Sequence, residues 1–180
     1  MRTIGLFLLL TICWPAWAQD FGVAVWGQSR DWIQQNETNL DLTPKNNTDY
    51  LVYRTNIAGI QNVRLVYWFQ DDLLEKGGFL FTDVRTDAIA AVKQFDKIAQ
   101  TITGIYGNPI ENNLLWQDGY ANKNGSKPIA LFNDALIMQT VWQTPTTIIR
   151  QQLANKEGQF MHQLIYTPVN MNIGEGKEGF

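Results

Sequence analysis

Hydrophobic residues recur along this chain with two periods, and the switch between them marks out the elements. Ile89, Val92, Phe95, Ala99, Ile102 and Tyr106 step by three and four, which lines one face of an α-helix. Thr86 or Asp87 is placed to cap its start. Gly107 stands where a left-handed residue ends a helix, and Pro109 prevents continuation. Elsewhere the period is two. Val63, Leu65, Tyr67 and Phe69 alternate with Arg64, Val66 and Trp68, as on a strand with two unlike faces. Residues 50–58 alternate before it, with a turn expected at 59–62. Residues 73–84 follow after a turn at Asp71 and Asp72. Gly77 and Gly78 predict a bulge or turn within that third strand. Short connections make this an antiparallel meander.

A similar order returns further on. Residues 108–128 read as a long polar connection holding Trp116 and Tyr120. A short helix is expected over 129–136, then strands over 137–144, 146–153 and 159–167, with a hairpin turn at 155–158. Near the start, Ser29 is a natural N-cap for a first helix, because its hydroxyl accepts from an unpaired backbone N–H. Asp31 complements the positive end of that helix. Ile33, Glu37 and Leu40 share a face with Trp32 beside it. Before the cap, Phe21, Val23 and Val25 alternate with Gly22, Ala24 and Trp26, which predicts a short strand or an extended lead-in packing the helix onto a sheet. A ligand role for Trp26 or Trp32 is the competing reading. Residues 42–49 read as a polar loop.

The pattern predicts one α+β domain over 19–169. An antiparallel sheet is built from two α-β-β-β halves and packed by two principal helices, the second filling its inner side through Phe95, Ala99 and Ile102. Residues 170–180 are glycine-rich and polar, and read as a disordered tail. The element order resembles the tandem α-β-β-β repeat of the β-lactamase inhibitor protein family and, at half-length, the outer-membrane assembly lipoproteins that share the unit. Trp26-Gly27-Gln28-Ser29 before a helix and Tyr106-Gly107-Asn108-Pro109 after one look like patterns in uncharacterised exported bacterial proteins. Neither motif belongs to one activity. The chain departs from the inhibitor pattern by lacking its disulfides, so β-lactamase inhibition is not carried over.

The first residues change the picture of compartment. Arg2, an apolar run over 4–12 and Ala16-Trp17-Ala18 follow the order of a secretory signal peptide. The run is shorter than the about 20 residues that span a bilayer. Cleavage is expected after Ala18, with Gln19 as the new terminus and a periplasmic or secreted product. An uncut anchor and a lipid on Cys13 are the competing readings; Ile12 is too bulky for a lipobox. Cys13 is the only cysteine. The 162 residues after Ala18 therefore hold no disulfide, thiolate nucleophile or cysteine metal site. Without Arg2 they carry 13 basic and 17 acidic side chains. No basic run is present, which argues against a nucleic-acid partner. Asn36, Asn46 and Asn124 begin N-x-S/T triplets, which matter only in a host that glycosylates them.

Catalytic signatures are sparse. The chain has two serines, Ser29 and Ser126, and no G-x-S-x-G elbow. His162 is its one histidine and falls inside a predicted strand, where it reads as structural or simply exposed before it reads as a general base. One histidine leaves only carboxylates for a metal, and Asp71 and Asp72 read as turn chemistry. No catalytic residue, metal or cofactor is expected. A spatial pair of carboxylates, as in glycosidases, stays open. Gln139, Gln143, Arg150, Gln152 and Gln163 interleave with Val141, Ile148 and Ile165. Such a sheet face is either simply solvated or a recognition surface for a protein or glycan of the envelope. Trp142, Arg150, Trp116 and Trp68 are the candidate contacts, since Trp and Arg dominate binding hot spots. Trp142 is either core or anchor, and Trp116 replaces it as anchor if it is core. The function expected is an exported, non-catalytic binding or accessory protein. The alternative is a carboxylate-dependent periplasmic hydrolase.

Intact-mass measurement on an envelope fraction is expected to show a chain beginning at Gln19. A mass retaining residues 1–18, or a lipid on Cys13, overturns the processing expectation.

Overall fold

The computed structural model describes residues 19–38, 40–43, 47–81, 87–117 and 126–169. The expected signal peptide, the tail over 170–180, Pro44, Thr86, Tyr120 and the triplets at Asn46 and Asn124 lie outside the described residues. Helix α1 (Arg30–Asn36) precedes strands β1 (Asp41–Leu42), β2 (Tyr50–Ile57), β3 (Ile60–Gln70) and β4 (Leu73–Phe81). Helix α2 (Ala88–Tyr106), β5 (Glu111–Trp116), α3 (Lys127–Phe132), β6 (Leu136–Gln143), β7 (Thr147–Lys156) and β8 (Gln159–Pro168) follow. The eight strands form one antiparallel sheet in the order β1-β2-β3-β4-β8-β7-β6-β5. The fold is α+β, as the pattern predicts. No described helix is long and apolar enough to cross a membrane.

Three hairpins close on two residues, each with both in the left-handed region: Ala58-Gly59, Asp71-Asp72 and Glu157-Gly158. That geometry matches the twist of antiparallel strands. The expected turn over 59–62 is thus shorter and earlier. Asn62, at φ 58°, sits instead in β3, where the pairing slips between Thr55 and Ile57. The irregularity in β4 also moves. Trp68 pairs with Lys76 and Phe69 with Leu74, so Glu75 is the extra residue. Gly77 and Gly78 lie in unbroken strand, and they are small because both faces are crowded there. A Cβ on Gly77 would fall inside the Phe21 ring, and one on Gly78 would meet Ile165 Cδ1 at 2.7 Å.

The lead-in is a tight turn rather than a strand. Phe21 N–H donates to the Ala24 carbonyl and Ala24 N–H to the Phe21 carbonyl, at 3.1 and 2.9 Å, around Gly22 at φ 56°. The turn drives Phe21 into the core beside Tyr67, Phe79 and Tyr166. Trp26 Nε1–H then donates to Thr147 Oγ1 at 2.9 Å, and Thr146 Oγ1–H to Asp20 at 2.6 Å. This segment therefore ties the first strands to β7. Ser29 caps α1 as expected, accepting from Trp32 N–H at 3.4 Å. Ile33 and Glu37 are buried, and the Tyr67 hydroxyl donates to Glu37 Oε2 at 2.5 Å.

Two stretches depart from expectation. The connection over 108–128 contains β5, whose Glu-Asn-Asn opening has little β-propensity of its own; pairing with β6 makes it a strand. Helix α3 lies earlier than 129–136. Ser126 caps it, accepting from Ile129 N–H at 3.4 Å, and Pro128 falls in its first turn, where its missing N–H costs nothing.

All three helices pack on one side of the sheet. Ile33 of α1 and Ile98 and Ile102 of α2 join Leu51, Tyr53, Leu65, Tyr67, Ile149 and Leu164 in one cluster. Ala91 and Phe95 of α2 join Ala130 and Leu131 of α3 with Leu136, Met138 and Leu153 in a second. The buried seam of α2 is Ala91, Gln94, Phe95, Ile98 and Ile102. It is rotated from the expected stripe: Ile89 is 56% exposed and Tyr106 38%. A polar residue, Gln94, sits inside the seam, and hydrophobicity alone does not register it. Phe95 and Ile102 are core as expected, and Ala99 is partly buried against the cluster that holds Ile102.

Phe95→Ala is expected to cost about 3–5 kcal/mol in chemical denaturation, whereas Ile89→Ala should stay within about 0.5 kcal/mol. Equal losses would place the seam on the wrong face of α2.

Candidate functional site: the helix-free face of the sheet

Because side chains alternate along each strand, the pairing register dictates which residues share a face. Opposite the helices, one cross-strand row runs Arg54, Arg64, Leu80, Gln163, Gln152, Gln139 and Asn113. Gln163 Nε2–H donates to Gln152 Oε1 at 2.9 Å. The neighbouring row runs Val52, Val66, Gly78, Ile165, Arg150, Val141 and Glu111. Trp68 stands on the same face and lies over Gly78, whose Cβ would meet the indole at 3.2 Å and Ile165 on the other side. Lys76 places its ammonium 4.8 Å from the Trp68 ring centroid, a cation–π contact. Trp68 and Arg150 are thereby linked across the face through Gly78 and Ile165. Trp68 is half-buried and Arg150 exposed.

The other two candidate contacts are elsewhere. Trp142 pairs with Ile149 and its neighbour Val141 with Arg150, so Trp142 and Arg150 point to opposite faces. Trp142 is fully buried, with Nε1–H donating to Thr103 Oγ1 at 3.2 Å. It is a core residue, on the face opposite to Arg150. Trp116 is half-buried on the helix side, packed against the second core cluster. Of the glutamines singled out by sequence, three form the row and Gln143 stands at the end of β6. Arg54 and Arg64 complete the row. The strand alternation signals that they point away from the core, but only register sets them beside the glutamines.

The helix side has its own concavity. A groove of ≈ 680 Å³ opens between α2 and the β5–β6 edge, floored by Met138, Thr140 and Trp142 and walled by Ala99, Thr103 and Leu114. Asp71 and Asp72 form the β3–β4 turn, bordering a shallow depression with Arg30 and Asp49. Among the described residues, no group of three or more His, Asp or Glu side chains is arranged to hold a metal ion. Both serines are helix caps.

His162 is sealed inside the protein. It stacks on Phe81 at 4.2 Å between ring centroids and lies beside Phe95. Its tautomer follows from its neighbours. The Phe95 carbonyl can only accept, and takes a bond from Gln151 Nε2 at 2.9 Å. The second N–H of that amide meets His162 Nε2 at 2.9 Å, so this nitrogen accepts. The imidazole proton is then on Nδ1 and donates to Gln94 Oε1 at 3.4 Å. Burial disfavours the imidazolium and pushes the His162 pKa down to about 3. The side chain is a pin between α2, β7 and β8, closed to a soluble substrate. Tyr67 is likewise held protonated, its pKa raised by burial and then by its bond to Glu37.

An unfolded His162 titrates near pH 6.5 and the folded one near 3, so the unfolded chain binds the extra proton between these values. Its contribution to stability is complete above pH 6.5 and is lost as pH falls toward 3, at about 1.4 kcal/mol per pH unit. Denaturation between pH 6.5 and 5 is expected to show this slope, and His162→Phe to flatten it. An unchanged slope in the variant would mean that His162 is not buried neutral.

Comparison with protein-family models, curated proteins and solved structures finds no match to this chain.

Proposed function

We propose that the chain is an exported, non-catalytic binding protein of the bacterial envelope. Its recognition surface is the helix-free face of the sheet, and its partner is a protein or glycan. The observation that carries this reading is the contiguous path from Trp68 through Gly78 and Ile165 to Arg150. It combines an aromatic anchor and a guanidinium with flanking uncharged amides, which is the composition of non-obligate interfaces and their hot spots. Amides both donate and accept, so the glutamine row suits peptide groups or sugar hydroxyls equally. The sealed position of His162 supports a role in folding rather than in proton transfer.

The same reading takes the chain as two α-β-β-β halves. Strand order supports it: β2-β3-β4 and β8-β7-β6 lie in mirrored sequence, and the last strand of each meanders to the shared seam. Each set follows a helix packed on the same side. The two short strands β1 and β5 then extend the outer edges.

Mature protein immobilised on a matrix and crosslinked in its own envelope extract tests the surface. Trp68→Ala and Arg150→Ala are each expected to lower capture of the wild-type partner roughly 30-fold, the scale of a hot-spot loss of about 2 kcal/mol. Neither should shift folding stability by more than about 1 kcal/mol. Trp142→Ala should instead destabilise the fold by about 3–5 kcal/mol. Undiminished capture by both surface variants would exclude this face.

A further inference from the structure

The groove between α2 and the β5–β6 edge opens on the helix side of the sheet, away from Trp68 and Arg150. Its volume of ≈ 680 Å³ falls within the about 300–1,000 Å³ of small-ligand sites. Ala99, Gln100, Thr103 and Gly104 recur at helical spacing along α2, so one face of the helix forms the wall. Thr140 and Trp142 are two apart on β6 and share the floor. Asn112 of β5 pairs with Thr140 and stands beside it on the same face.

Three features of this groove lack a reason within the protein itself. Thr140 is only 3% exposed, yet its hydroxyl makes no hydrogen bond among the described residues. Gln151 Oε1, on the next strand, is sealed without a partner; Thr140 Oγ1 is not sealed, and Thr140 lines the groove. A nearly buried hydroxyl is unfavourable unless something bonds to it. Thr103 supplies a second hydroxyl. Its Oγ1 accepts from Trp142 Nε1–H at 3.2 Å, which fixes the oxygen against the floor and leaves its own proton to donate. Gly104 forms part of the wall within α2, with no positive φ, and a Cβ there would meet nothing within 4 Å. Glycine is unfavourable inside a helix, and neither backbone geometry nor a neighbouring atom requires it at this position.

We infer that this groove binds a neutral saccharide unit, whose hydroxyls bond to Thr140, Thr103 and Asn112 while its C–H face lies against Ala99 and Leu114. Side-chain hydroxyls and amides both donate and accept, as sugar hydroxyls do, so the two sets match without a fixed charge. Charge selects neither sign: Asp96 and Lys127 are the charged residues bordering the groove, and they oppose each other. A purely apolar ligand would leave the Thr140 hydroxyl unmatched. The missing side chain at Gly104 lets a ring approach the helix backbone closely. The site lies on the opposite side of the sheet from the Trp68–Arg150 surface, so the outcome at one does not decide the other.

The test titrates the full mature chain, with its threonine and methionine methyl groups labelled for NMR. The probes are glucose, N-acetylglucosamine and the linear trimer of the latter, with hexanol and hexanoate as apolar and anionic comparisons. Saturable shifts of the Thr140 and Met138 methyls are expected with at least one sugar, while Met161, exposed on the opposite face, stays unmoved. Tighter binding of the trimer than of the single sugar assigns a unit within a glycan chain, and equal binding assigns a free sugar. Thr140→Val keeps the side-chain volume and removes the unmatched hydroxyl. It is expected to fold at least as stably and to weaken sugar binding about fivefold, the scale of one neutral hydrogen bond. Gly104→Leu replaces glycine with a good helix former, so it too should fold, and its side chain should obstruct the groove and weaken binding. The inference is overturned if no sugar gives a saturable shift at Thr140 and Met138, if hexanol or hexanoate binds more tightly than every sugar, or if Thr140→Val binds sugar as well as wild type.

Discussion

The pairing of β4 with β8 is the constraint on which the molecule depends. Five residue pairs, from Gly77–Tyr166 to Phe81–His162, join strands that are far apart in sequence. They hold two meanders in one register, and that register assigns every side chain to a face. A slip by one residue would turn the Phe81 side chain away from His162 and carry Gly78 out from between Trp68 and Ile165. The seam is narrow on both sides because of its glycines. Phe21 closes over Gly77 on the helix side, and the Trp68 indole lies over Gly78 on the other. The same two residues that let the core close at the seam therefore shape the middle of the candidate binding face.

A second constraint is polar. Helix α2 is not held by apolar contacts alone, since Gln94, His162 and Gln151 meet inside the seam between helix and sheet. Such a cluster is costly unless its bonds are made in a consistent direction. The direction is imposed by one backbone carbonyl, that of Phe95, and it propagates through His162 to Gln94, which is itself buried. Shifting α2 by one turn would break two bonds together, Gln151 to the Phe95 carbonyl and His162 to Gln94, which gives the helix a single position on the sheet. Rigidity in this network and openness on the opposite face are complementary: a sheet backed by a well-fixed helix presents its free side with little ordering left to do on binding.

Much of the fold was legible locally. Alternation at residues 63–69 assigned both faces of β3 correctly, and Ser29, Asp87 and Gly107 marked the ends of α1 and α2 where the structure has them. The misses share a cause. The α2 seam is rotated from the apolar stripe because Gln94 looks polar in sequence while its side-chain oxygen is bonded to His162 in the interior. Strand β5 looks like a loop in sequence because its Glu-Asn-Asn opening becomes a strand only through β6. The Phe21 lead-in alternates like a strand, but Gly22 turns it back, and its target is a glycine more than fifty residues away. Trp68 and Arg150 were visible as candidate contacts; nothing local placed them on one surface, or placed Trp142 on the other.

The sequence by itself determined the periods, the caps and the turns, because these depend on neighbours within a few residues and on backbone preferences that each side chain carries with it. It also determined that the chain beyond Ala18 has no thiol and a single imidazole. Only the tertiary structure decided the register across β4 and β8, the burial of His162 and the orientation of the Gln94 amide. Each of these depends on partners brought together from distant parts of the chain, where packing and hydrogen-bond direction, rather than local propensity, determine which arrangement is lowest in free energy.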